Sequence, residues 1–273
     1  MHRRTIVLTV IATAAIVTAA GCTSSKNTSG STPTTTAAGG AGSPTSAAAV
    51  SGTITVLAAA SLKEAFTTLA KQFESAHPGS SVKLSFGASS DLAAQINQGA
   101  PADVFASASP KNMQQVVSAG GASKSTNFAK NVMEVAVPPS NPANVTSVTD
   151  LAKSSVKVAL CEPQVPCGSV AAEVFKNANI TVKPVTLEPD VKSTLSKVEL
   201  NEVDAGMVYV TDVRAAGSKV KGVVIPDNIN ASTEYPIAAL TKAPNAAGAQ
   251  AFVDLVLSPA GEAVLTADGF QKP

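Results

Sequence analysis

The sequence predicts an α/β fold in which parallel sheets are covered on both faces by helices. Two observations carry that prediction. Short runs rich in Val, Ile and Leu alternate along the chain with apolar residues at helical spacing. Strand-like runs also lead repeatedly, through small residues, directly into helix N-termini. Ligands in such sheets sit outside the carboxyl ends of the strands, so these turns are where function is expected. No sequence-level repeat accompanies the alternation.

The chain opens with a basic pair, Arg3-Arg4, and an apolar run from Thr5 to Ala20 that is a little short for a stable membrane span. Ala19-Ala20-Gly21 then precedes Cys22. This arrangement reads as an export signal over residues 1–21. Small residues before a cysteine resemble the lipobox of bacterial lipoproteins, with Ala19 where Leu is commoner. That resemblance implies cleavage before Cys22 and lipidation of its sulfur, so the protein is expected to be exported and anchored to the outer face of the cytoplasmic membrane. The alternative is a secretory peptide with an incidental cysteine. Residues 22–50 are Ser, Thr, Gly and Ala with two prolines and one charge, Lys26. Such a segment cannot bury enough apolar area to fold. It reads as a soft tether of roughly 30 Å root-mean-square length.

Folded sequence is expected from Gly52. Ile54 to Leu57 is a strand, and Ser61 followed by Glu64 three residues later reads as a capping box, so Ser61 is expected to open the first helix. The first-turn N–H groups lack intrahelical partners and lie at the positive end of the dipole, which suits an anion. Leu62, Ala65, Phe66, Leu69 and Phe73 continue the helix to His77-Pro78-Gly79. Val82 to Phe86 alternates as a strand, and Gly87-Ala88-Ser89-Ser90 leads into a helix carrying Leu92 and Ile96. Val104-Phe105-Ala106 is a short strand before a helix opened by Ser109-Pro110. The rhythm changes near Asn131. Val132 to Val137 is a strand, Val148 to Leu151 a short helix, and Val156 to Leu160 a buried strand ending in Cys161-Glu162-Pro163-Gln164-Val165-Pro166-Cys167-Gly168. A helix through Val170 and Val174 follows, then a strand from Val182 to Leu187. Asp190 is expected to cap the next helix, and Asp204 to Val210 is a strand with Tyr209 at its end. Val223 to Ile225 and Tyr235 to Leu240 are the last strands, with helices at 246–257 and 261–267 closing the chain. If the turns at Ser61, Ser89, Cys167 and Val191 met Tyr209 in one cleft, they would form a cage of hydroxyls and backbone N–H groups.

Composition narrows the partners. Charged residues are 14%, aromatics 4%, and Trp is absent, which leaves little with which to stack nucleic-acid bases. The net charge is +1, and without Arg3 and Arg4 it becomes −1, so no global field attracts nucleic acid or an anionic membrane. Any bound anion must be held by local donors. Cys161 and Cys167 are an even pair in an exported chain, and a disulfide is the expected state. Their spacing excludes a CxxC redox motif, and no histidine cluster suggests a metal site.

Catalytic machinery is sparse. The chain has two histidines, His2 in the signal and His77 before a proline. Ser89 lacks the glycine two residues later that a nucleophile elbow requires. Lys124-Ser125 follows Ser123 rather than a glycine, so no phosphate loop is formed. Asp103, Asp190 and Asp204 suit strand-end and helix-cap roles better than acid–base work. The chain reads as a binder that is not an enzyme and uses no cofactor.

Ala59-Ala60-Ser61-Leu62, Gly99 to Ala108 with its Pro-Ala-Asp-Val-Phe core, Val165-Pro166-Cys167-Gly168 and Asp204 to Tyr209 resemble, in order, the periplasmic molybdate-binding proteins of ABC importers. The resemblance runs from about Ile54 to Phe270. It implies a two-lobed type II periplasmic-binding-protein fold, each lobe a mostly parallel sheet flanked by helices, joined by a two-stranded hinge. The implied boundaries are 51–131 for the first lobe, 132–234 for the second and 235–273 for a return to the first. Carried over by position, the ligand contacts fall on the Ser61 and Ser89 hydroxyls, the Cys167 and Val191 amides and the Tyr209 hydroxyl. Cys167 stands where the family often has alanine, a change that a backbone contact tolerates. A Cys161–Cys167 bridge would either stiffen that loop for binding or only stabilise the second lobe. The implied ligand is molybdate, with tungstate beside it; the metal enters only within the oxyanion. The implied partners are a permease and its cytoplasmic ATPase, with the receptor a monomer. A fully deprotonated dianion suits a site made only of donors. Sulfate or phosphate is the alternative cargo, since size rather than charge separates the dianions.

Overall fold

The computed structural model describes residues 50–273. The expected signal, the lipidation site Cys22 and all but the last residue of the expected tether lie outside the described residues.

Strand β1 (Gly52–Ala59) is buried at nearly every position from Val56 onward and ends in a single 3-10 turn (Ala60–Leu62) that runs into α1 (Lys63–Ala76). Helix α1 buries Ala65, Phe66, Leu69 and Phe73, the stripe that its periodicity foretells. Strand β2 (Ser80–Gly87), α2 (Ser89–Asn97), β3 (Val104–Ala106) and α3 (Pro110–Ser118) follow as strand–helix pairs. The long strand β4 (Thr126–Val137) then leads through a 3-10 turn (Val148–Ala152) to β5 (Val158–Cys161), α4 (Pro166–Asn177), β6 (Thr186–Glu188), α5 (Val191–Glu199), β7 (Ala205–Tyr209) and α6 (Val210–Ala216). Strands β8 (Lys221–Val224) and β9 (Ser232–Ala239) precede α7 (Ala246–Leu257) and α8 (Pro259–Ala267).

The strands pair in the order β2-β1-β3-β9-β4-β7-β5-β6, with β8 added on β4. The expected parallel pairing holds for β1 with β2 and β3, and for β5 with β6 and β7. Every pairing of β4 or β9 is antiparallel, so the sheet is mixed rather than parallel throughout. The reason lies in β4, which pairs with β9 over Thr126–Val132 and then with β7 and β8 from Met133 on. One strand thus joins two sheets, and β9 returns beside it. The strand expected over Val182–Leu187 shrinks to Thr186–Glu188, because Pro184 has no N–H to give a ladder.

Apolar packing divides the molecule into halves. One half is built from residues 54–129 and 235–270, where Phe66, Phe73 and Phe252 meet edge to face with centroids 5.6–5.9 Å apart. The other is built chiefly from residues 133–231. Three carboxylates weighed as catalytic candidates are tied to backbone instead. Asp103 accepts from Thr55 N–H (2.7 Å) and Asn245 N–H (2.6 Å), Asp190 from Ser193 N–H (2.9 Å), and Asp204 from Lys157 N–H (2.8 Å). They hold strand ends and cap a helix.

Candidate functional site

The carboxyl ends of β1, β2, β5, β6 and β7 open on one cleft, and the residue types there follow from the turns. Ala59-Ala60, Gly87-Ala88 and Ala108 line it with almost no side chain, which lets a ligand approach the backbone closely. Ser61, Ser89, Cys167, Val191 and Tyr209 all line the same space, so the structure brings together every residue named from the sequence. The space open to the centre of a water molecule is about 20 Å³. As a sphere this has a radius of ~1.7 Å, and adding water's own radius makes room for a body of about 3 Å radius. That is the scale of a four-oxygen anion and well below that of a sugar or peptide.

The serines differ from the sequence expectation in one respect. Ser61 lies in the 3-10 turn, and no side chain caps α1. Its Oγ sits 2.9 Å from the hydroxyl of Tyr235 on β9. The capping box is displaced because Tyr235 is fully buried, and an unpaired phenol there would cost about 1–3 kcal/mol. Ser89 is the first residue of α2 rather than its cap, and its Oγ accepts from Ala108 N–H at 2.9 Å.

The amide donors come from two helix starts. In α4 the first residue is Pro166, which has no N–H, so Cys167 supplies the first free amide. A disulfide joins Cys167 to Cys161 at the end of β5. The loop folds so closely on α4 that a Cβ on Gly168 would lie 2.0 Å from the Glu162 carbonyl oxygen. Only glycine fits there. Val191 opens α5 behind its cap Asp190, whose side chain and carbonyl take the N–H groups of Ser193 and Thr194, leaving those of Val191 and Lys192 outside the helical ladder.

Tyr209 ends β7, and its buried hydroxyl makes no hydrogen bond of normal geometry, although the Tyr235 phenol is close enough to interact with it. Burial pushes its phenol well above the ordinary range, so it remains a neutral donor. Buried hydroxyls without a well-formed bond are uncommon and need an explanation, and a ligand in the cleft supplies one.

Sequence reasoning missed the groups behind the cleft. Tyr235 was assigned only to a strand, and its contact with Ser61 spans 174 positions. Lys192 lies 2.9 Å from Glu64 on α1 and 3.1 Å from the fully buried Asp212 on α6. Burial opposes the Lys192 charge, yet the two carboxylates raise its pKa above the ordinary value. Burial raises Asp212 as well, against the pull of Lys192. No local pattern announces contacts between elements so far apart in the chain. Among the described residues no group of three or more His, Cys, Asp or Glu side chains is arranged to hold a metal ion, and no helix is long and apolar enough to cross a membrane.

The chain is similar to known proteins over most of its length. The chain is 40% identical over 222 residues to the molybdate-binding protein ModA of Mycobacterium tuberculosis, covering 81% of this chain and 85% of that one. It is 34% identical over 232 residues to ModA of Escherichia coli, covering 80% and 89%. The periplasmic molybdate-binding protein of Azotobacter vinelandii shares the fold with a TM-score of 0.71 at 23% identity, covering 81% of this chain and 99% of that one. Residues 54–271 match the model of the bacterial extracellular solute-binding proteins, and the chain belongs to that family.

Proposed function

We propose that this protein is the extracytoplasmic receptor of an ABC importer, binding molybdate, and tungstate with it, in the cleft and delivering it to a membrane permease with a cytoplasmic ATPase. The observation that carries this reading is the buried Tyr209 hydroxyl, without a well-formed hydrogen bond, on a residue that lines a 3 Å-scale cavity together with Ser61, Ser89, Cys167 and Val191; Asp190 lines it too, with its carboxylate engaged by Ser193 N–H. Ser61 and Ser89 donate their hydroxyl protons, Cys167 and Val191 their amides, and Tyr209 its phenolic proton. The positive ends of α2, α4 and α5 add to the attraction. A dianion without protons uses all five donors as acceptor, while a carboxylate-lined site would repel it. The identity with the ModA proteins supports molybdate as the cargo.

In this reading residues 51–131 with 235–273 form one lobe and 132–234 the other, and β4 and β9 are the hinge about which they close. The receptor acts as a monomer without catalysis, held to the membrane through lipid on Cys22. Isothermal titration of the protein with molybdate, tungstate, sulfate and phosphate tests the cargo. Tight binding of the first two and weak binding of the others is expected, and Ser89→Ala should lower molybdate affinity at least tenfold. Sulfate or phosphate bound as tightly as molybdate overturns the assignment in favour of another oxyanion receptor.

A further inference from the structure

Behind the cleft lies a chain of buried polar groups, Tyr235, Asn131 and Thr211, that ends on Ser61 and does not itself line the cleft. Asn131 lies on β4 next to the point where that strand changes partners. Its Oδ1 accepts from Val132 N–H at 3.1 Å, which fixes the amide so that Nδ2 points the other way. Nδ2 donates to Thr211 Oγ1 (2.8 Å) and to the Tyr235 hydroxyl (3.4 Å). A phenol that accepts from Asn131 has its own proton to give, and Ser61 Oγ is 2.9 Å away. Burial raises the Tyr235 phenol above its ordinary range, so that proton is present at neutral pH. Ser61, Asn131, Thr211 and Tyr235 are all at most 4% exposed.

We propose that Tyr235 and Asn131 are positioning residues which, by filling the acceptor role of Ser61, hold its hydroxyl proton toward the cleft and select anions that carry no proton. The inference rests on the reading of the cleft as an oxyanion site. Ser89 follows the same logic by a shorter route, since Ala108 N–H fills its acceptor role. Each serine then has one of its two acceptor positions filled and is left to give its single proton to the cleft. An anion bearing a proton, such as hydrogen phosphate, finds only the remaining lone pair of a hydroxyl already committed as a donor. The relay also passes through both strands that join the halves and ends on Thr211 at the start of α6, so the donor is set from the opposite half of the molecule.

The test is a double-mutant cycle on the protein purified from membranes in detergent, titrated with molybdate and with inorganic phosphate. Tyr235→Phe keeps the ring against Phe270, whose centroid is 5.3 Å away, and so preserves packing. It should lower molybdate affinity about tenfold and narrow the preference for molybdate over phosphate, because Ser61 becomes free to accept. Added to Ser61→Ala it should cost nothing further, since the two act through one bond. Asn131→Leu should narrow the preference in the same way and serves if Tyr235→Phe does not accumulate. Losses that add, or that fall equally on both anions, overturn the relay. Failure of the unsubstituted protein to bind molybdate removes the proposed function and this inference with it, whereas normal binding with additive losses removes this inference alone.

Discussion

The ammonium of Lys192 on α5 lies 2.9 Å from the carboxylate of Glu64 on α1, joining the two halves beside the cleft. Lys192 is also held by the buried Asp212 at 3.1 Å, within its own half. Lys192 directly follows Val191, so the ion pair lies next to the candidate amide.

If the halves close over the ligand as proposed, Glu64→Gln should weaken the closed state. Glu64 keeps 43% of its side-chain exposure, so solvent screens the pair and its contribution is about 0.5–1 kcal/mol. Molybdate affinity should fall about two- to fivefold, with the larger loss at low salt. Titration at two ionic strengths measures it, and an affinity unchanged at low salt would show that the pair takes no part in closure.

Tyr209→Phe should separate binding from stability. Its hydroxyl makes no hydrogen bond of normal geometry, so removing it relieves a buried polar group of its desolvation cost. The ligand-free melting temperature should hold steady or rise, while molybdate affinity falls at least tenfold. Thermal melts with and without molybdate give both numbers in one experiment.

Replacing both Cys161 and Cys167 by Ala opens a loop with a sequence separation of 6 residues. Chain entropy for so short a loop corresponds to about 2 kcal/mol of stability. The melting temperature should drop accordingly, whereas affinity should fall less than in Ser89→Ala, because the amide at position 167 remains. An equal loss of affinity would make the bridge part of the binding geometry itself.

Asp212→Asn tests the buried carboxylate through pH. Burial holds its folded-state pKa above the usual range, so the folded protein binds that proton more tightly than the unfolded chain. The associated stability is present below the unfolded value and is lost as pH rises through the folded one. As pH rises above the ordinary carboxylate range, at about 4, the wild-type melting temperature should therefore decline relative to Asp212→Asn, whose amide still accepts from Tyr209 N–H as Asp212 does at 3.1 Å. A difference that stays constant as pH rises would contradict the raised value.

The order of elements was legible in the sequence because it rests on local periodicity and caps. Phe66, Leu69 and Phe73 mark α1 by spacing alone, and Asp190 caps α5 by residue type. The five cleft residues were legible too, since each sits at a strand-to-helix turn or strand end that carries its own small residues and hydroxyls. Ser61 shows where such reasoning stops. Its neighbours favour a cap with Glu64, but a cap on an exposed first turn is a weak competitor for a buried phenol that has few other partners. Tyr235 approaches from 174 residues away, and only folding decides that it does. The mixed sheet has the same origin, since antiparallel β4 and β9 pair across a hundred or more positions. By itself the sequence determined which backbone turns exist and which hydroxyls they carry. The tertiary structure decided which way those hydroxyls point and which charges meet across the cleft, because both depend on contacts between segments that no local pattern links.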